Sequence, residues 1–150
     1  MMTGEANYHD DWEIAYAYRD DDAVVVFFFD WYNGKKYANL RRCIEKDEFR
    51  GPTKLGIKFA CSLLPEVLSA VTKIKAKGTL EVGYEVLRVQ KNRTTFLTIR
   101  VEYYQGRFGI DFRNFMKTAR YTGYTKQGIR IGYEQIRHLI TGFQLLNDGS

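Results

Sequence analysis

The chain has 150 residues, with 23 Lys and Arg against 18 Asp and Glu, and no run of eighteen apolar residues. That length supports one shared core but leaves each half marginal, and the missing apolar run excludes a membrane-spanning helix. The net charge of +5 is uneven: residues 1–30 carry −7 and the rest +12, a basic body behind an acidic start.

The N-terminus lacks the basic flank and apolar stretch of a secretory signal, and Cys43 and Cys61 lack the companions of a zinc site. A reduced intracellular protein is expected. Residues 1–11 read as an acidic flexible lead. Period-two alternation then predicts strands Trp12–Arg19 and Ala23–Tyr32, joined by the Asp20–Asp22 turn. Asn33-Gly34 is a two-residue hairpin signal leading into a third strand, Lys35–Glu45. A polar loop holding Gly51-Pro52 precedes a short fourth strand, Thr53–Phe59. Leu64, Val67, Leu68 and Val71 then recur at helical spacing, and Lys73–Gly78 reads as a short basic linker.

The order repeats: strands Leu80–Gln90, Thr94–Tyr104, Arg107–Lys117 and Tyr124–Ile131, then a helix carrying Ile136, Leu139, Ile140 and Phe143. A gapless shift of 72 residues places Tyr32-Asn33-Gly34-Lys35 on Tyr104-Gln105-Gly106-Arg107. The same shift places Asn39-Leu40-Arg41 on Asp111-Phe112-Arg113 and Thr53–Lys58 on Thr125–Arg130. Such self-similarity predicts a duplicated unit. The expected fold is α+β: two ββββα repeats, residues 12–77 and 78–146, whose antiparallel sheets pack on helices as an intramolecular pseudo-dimer. Asn147–Ser150 is expected to be a polar end without a core role.

Alternation also sorts the faces. Val25, Phe27, Phe29 and Trp31, with Leu97, Ile99, Val101 and Tyr103, are assigned inward. Phe28, Asp30 and Tyr32 face outward with Arg100, Glu102 and Tyr104. Lys35 and Arg41, Lys54 and Lys58, and their partners Arg107, Arg113, Lys126 and Arg130 join that outer side. Tyrosines stack on unpaired bases and cations follow phosphates, whereas a duplex hides base faces and calls for a groove-reading helix. The pattern therefore favours single strands.

At these residues the chain resembles the positive cofactor four family of transcriptional coactivators. The motif stands as Tyr32-Asn33-Gly34-Lys35, Asn39-Leu40-Arg41 and Lys54-Leu55-Gly56-Ile57. It returns as Tyr104-Gln105-Gly106-Arg107, Asp111-Phe112-Arg113 and Lys126-Gln127-Gly128-Ile129. The wider duplication is similar to Whirly and Pur-alpha-type single-strand binders. The resemblance implies stacking by Tyr32 and Tyr104 and phosphate contacts from Lys35, Arg41, Arg107 and Arg113, with Lys54 and Lys126 near the fourth-strand basic position. It also implies that the second copy replaces a dimer partner. Two departures stand out. Ile44 and Met116 occupy the region of a family tryptophan, and Phe28 against Arg100 breaks the internal symmetry.

Other roles suit the same residues. Tyr32 and Tyr104 also fit as tyrosines shielding a hairpin, and Arg41 and Arg113 as cross-strand bridges. Asp10, Asp11 and Asp20–Asp22 suit either a cover over a basic groove or a solubilising turn. His9 and His138 have no catalytic companions, so neither an enzyme nor a cofactor is expected. The resulting expectation is a single-stranded DNA binder that works with transcription or replication proteins. The alternatives are a single-stranded RNA binder or an assembly protein meeting an acidic partner. Exposed strand edges leave higher oligomers open.

Overall fold

The computed structural model describes residues 12–21, 23–46, 49–77 and 82–150. Its first half comprises β1 (Glu13–Asp20), β2 (Ala23–Tyr32), β3 (Lys35–Lys46), β4 (Phe49–Ala60) and α1 (Leu64–Lys77). The second comprises β5 (Glu85–Gln90), β6 (Thr95–Tyr104), β7 (Arg107–Lys117), β8 (Thr122–Gly132) and α2 (Ile136–Gly149). Each half is an antiparallel meander, β1-β2-β3-β4 and β5-β6-β7-β8, followed by its helix. This is the expected ββββα repeat, present twice.

Local chemistry sets the turns. Tyr32 pairs with Lys35 and Tyr104 with Arg107, so each hairpin has two linking residues. Both links are left-handed: φ is 51° at Asn33 and 76° at Gly34, and 51° at Gln105 and 78° at Gly106. Asn and Gly accept that conformation readily, whereas Gln lacks their preference for it. Each third strand carries an irregularity at the same repeat position, Arg41/Cys43 and Arg113/Phe115.

The inner faces of both sheets and both helices form one core. The helices cross over: α2 packs on β1 and β2, and α1 on β5. Phe143 of α2 meets Phe27 edge-on at 5.2 Å and lies 5.6 Å from Phe112, so one ring touches both sheets. Gly142 lets α2 come close, because a methyl group there would sit 2.5 Å from the Phe27 ring. The 72-residue shift puts Ala70 and Ile99 at these two places.

Several elements differ from the expectation. β4 runs through Gly51-Pro52, with Pro52 opposite Cys43 just past the irregularity. As an edge strand it tolerates a proline, which has no N–H to donate. Lys73–Lys77 belong to α1 rather than to a linker, while Gly78, like Asp10, Asp11 and Asp22, lies outside the described residues. β5 begins only at Glu85, after a turn in which Gly83 has φ 79°. α2 runs on to Gly149, whose carbonyl accepts a 2.8 Å hydrogen bond from Lys36. Trp31, expected inside, is 46% exposed. The reason is helix length: α2 ends beside the Phe29 ring, and Trp31 lies two residues further toward the hairpin. Phe28, expected outside, is buried beneath Trp12, with ring centroids 3.6 Å apart.

Two predictions follow from this packing. Gly142→Ala should lower unfolding stability in urea by about 1–3 kcal/mol through overpacking, although alanine gains roughly 1 kcal/mol of helix propensity. An unchanged or raised stability would mean that Phe27 does not fill that space. Gln105→Asn should raise stability by about 0.5–1 kcal/mol and Asn33→Gln should lower it by a similar amount, both read from the same titration.

Candidate nucleic-acid interface

The two sheets adjoin where β4 packs beside β8. An open groove of about 840 Å³ lies there, lined from the first repeat by Tyr32, Lys35, Tyr37, Arg41, Lys54 and Lys58. The second repeat adds Lys91, Asn92, Asn114, Lys126 and Gln127. Tyr32 and Tyr104 are each 63% exposed at the same hairpin position, at the ends of β2 and β6.

Inside the groove, Tyr37 carries two cations over its ring, Lys58 at 5.0 Å and Lys35 at 5.8 Å from the centroid. Lys58 also pairs with Asp30 at 3.1 Å, and Asn39 donates to the other Asp30 oxygen. Arg41 lies across Gly56 and donates to the Thr53 carbonyl at 3.0 Å. Burial lowers its pKa from the ordinary arginine value. The glycine thus makes room for the protein's own guanidinium. Arg113 repeats the arrangement over Gly128, donating to the Thr125 carbonyl at 3.0 Å.

The second repeat spends its charges differently. Buried Asp111 binds Arg113 at 2.9 Å and Arg100 at 3.5 Å, and Arg100 also pairs with Glu102 at 3.1 Å. Donation to the Asp111 carboxylate raises the Arg113 pKa. The Arg100 guanidinium stacks 3.9 Å from the Tyr124 centroid, and the Tyr124 hydroxyl donates to Glu85. Arg130 crosses Gly109 and donates to the Arg107 carbonyl at 3.0 Å. Its guanidinium lies 6.0 Å from the Tyr104 centroid.

Six of the eleven expected site residues therefore share one groove: Tyr32, Lys35, Arg41, Lys54, Lys58 and Lys126. Tyr104, Arg107 and Arg130 gather at the hairpin end of the second sheet, and Arg100 and Arg113 are held in internal ion pairs. Arg113 thus pairs with Asp111 two residues back on its own strand, and both Arg41 and Arg113 bridge to a carbonyl of the next strand.

Sequence reasoning missed Tyr37 and Lys91. Tyr37 shares the strand parity of Lys35 and Asn39, so its face was legible. Lys91 sits in a turn, where parity says nothing. Its Nζ donates to Asn114 Oδ1 at 2.9 Å, and Asn114 donates in turn to Gln127 at 2.9 Å. Burial, and then the charge of Lys58, push the Lys91 ammonium down to about 8. Among the described residues no cluster of His, Cys, Asp and Glu is arranged to hold a metal, and no helix is long and apolar enough to cross a membrane.

No protein-family model and no curated protein sequence matches the chain. Over 49% of its length the chain is similar to all of a PC4 homolog from Burkholderia pseudomallei known from its crystal structure, with 27% identity and a TM-score of 0.42.

Proposed function

We propose that this chain binds single-stranded nucleic acid, DNA ahead of RNA, as a non-catalytic protein of the transcriptional-coactivator type. The observation that carries the reading is the groove between β4 and β8, where cations from both repeats surround Tyr32 and Tyr37. A flexible strand can lay its phosphates along Lys35, Lys54 and Lys126 while its bases stack on the exposed ring of Tyr32. Tyr104, equally exposed, supplies a second stacking platform beside Arg107 and Arg130. Each stacked base contributes about 1–3 kcal/mol without regard to sequence, and each neutralised phosphate adds a salt-dependent contribution. Both rings and cations are already held by the sheets, so little ordering is left to oppose binding.

Fluorescence anisotropy of a labelled oligo-dT, competed by duplex DNA and by single-stranded RNA, tests this reading. Tyr32→Ala and Tyr104→Ala should each weaken binding roughly 10- to 100-fold, with a loss that persists at high salt. Unlabelled single-stranded DNA should displace the probe at far lower concentration than duplex. Stronger displacement by RNA would move the assignment to RNA. Equal competition by duplex, together with wild-type affinity in both tyrosine variants, would point to an acidic protein partner instead.

A further inference from the structure

The 72-residue shift that relates the repeats also relates two clefts, and their chemistry differs. At the first, Lys91 of the β5–β6 turn donates to Asn114 on β7, with Lys58 of the other repeat as its charged neighbour. The shift converts Lys91, Asn92, Asn114 and Arg130 into Arg19, Asp20, Arg42 and Lys58. At the second cleft, Arg42 on β3 is bonded to Asp20 at 3.1 Å and to the Arg130 carbonyl at 3.3 Å. There Arg42 stands at the place of Asn114 and is neutralised by Asp20, where the other repeat has the two neutral amides Asn114 and Asn92.

Resting on the single-strand reading above, we propose that Lys91 anchors one backbone phosphate in the groove, and that the first repeat, where Asp20 occupies the Arg42 cation at the matching place, lacks such an anchor. A phosphate anchor of this kind then stands on one side of the pseudo-two-fold only.

Three observations support the anchor. Lys91 lines the open groove together with Lys35, Lys54, Lys58 and Lys126, so five ammonium groups face one volume. Lys58 has Asp30 as its counter-ion at 3.1 Å, whereas Lys91 donates to an amide oxygen. That amide is itself fixed by Gln127, so the ammonium is held in place without being neutralised. A phosphate brings the missing negative charge, and its oxygens can accept the Lys91 hydrogens that Asn114 leaves unused. The Asx turn of Asn92, whose Oδ1 accepts from the amides of Thr94 and Thr95 at 3.0 Å, gives the Lys91 backbone a defined position.

The groups facing Lys91 are Lys58 from β4, Asn114 from β7, and Lys126 and Gln127 from β8. Lys54 and the tyrosines Tyr32 and Tyr37 line the same groove. Because the ammonium titrates near pH 8 in the free protein, a bound phosphate must restore its proton at higher pH. Affinity should therefore fall as pH rises from 7 to 9.

Oligo-dT titrations across salt and pH test the proposal with Lys91→Met and Asp20→Asn. Lys75→Met and Asp148→Asn, both on exposed helix positions, carry the same charge changes elsewhere. Lys91→Met should weaken binding about 10-fold, flatten the salt slope by roughly one phosphate contact and lose the fall between pH 7 and 9. Lys75→Met should do none of this to the same degree. Asp20→Asn, which makes the first turn match the second, should tighten binding severalfold and steepen the slope beyond the effect of Asp148→Asn. Wild-type affinity, slope and pH profile in Lys91→Met would overturn the anchor even if the tyrosine variants bind weakly. An Asp20→Asn variant no different from Asp148→Asn would overturn the one-sided anchoring. A wild-type chain that binds no oligo-dT would remove the single-strand reading and this inference with it.

Discussion

The structure depends on a single exchange: each helix lies on strands of the opposite repeat. A four-stranded meander with one apolar face cannot stay open to water, and at half of this length its own helix covers too little of it. Crossing the helices makes both inner faces part of one core, with Phe143 in contact with Phe27 on one side and Phe112 on the other. The close approach at Gly142 belongs to that arrangement. The fit also explains why the two copies differ in size at matching places. Phe27 with Gly142 and Ile99 with Ala70 divide similar volume differently, as repacked cores do when total volume is kept.

Covalent linkage of the copies frees their outer faces to diverge, since a change in one need not appear in the other. Phe28 and Asn39 in the first repeat stand where the second has Arg100 and Asp111. The two changes fit only together. Arg100 without Asp111 would be a half-buried cation lacking its 3.5 Å partner, and Asp111 alone would be a buried carboxylate short of one of its two arginines. In the first repeat the apolar Phe28 instead needs a lid, which Trp12 supplies. A similar exchange separates Tyr37 with Lys58 from Gly109 with Arg130. A ring flanked by lysines faces the groove in one copy, and an arginine lies across a bare glycine in the other.

The repeat, the strand order, the hairpins and the inner faces were legible because each rests on local rules: period-two alternation, left-handed turn residues and a helical stripe. What escaped depended on where elements end relative to one another. Trp31 has the parity of a core residue, but parity does not say that α2 stops at Phe29. Phe28 has the parity of a surface residue, but only the path of the chain brings Trp12 over it. Gly51-Pro52 reads as a loop until the β3 irregularity places Pro52 on an edge strand. At the site, the bridging role weighed for Arg113 pointed to its pair with Asp111, whereas the hold of Asp111 on Arg100 depends on cross-strand register, which residue type alone does not give. Lys35, Lys54 and Lys126 line the groove.

The groove itself is poorly explained as a device for stability. Placing Lys91 near Lys58 and partly out of water disfavours its charged form, as its lowered pKa records, and the fold forgoes that charge above pH 8. Elsewhere in the molecule such conflicts are resolved: Asp111 answers Arg100 and Arg113, Asp20 answers Arg42, and Glu85 answers Arg88 at 2.8 Å. A chain that pairs Arg42, Arg88, Arg100 and Arg113 with acids on its sheet faces gathers five lysines around exposed tyrosine in one open cleft. On the single-strand reading proposed above, that gathering draws phosphate in with a dependence on salt, while the paired arginines hold the surrounding sheets in shape.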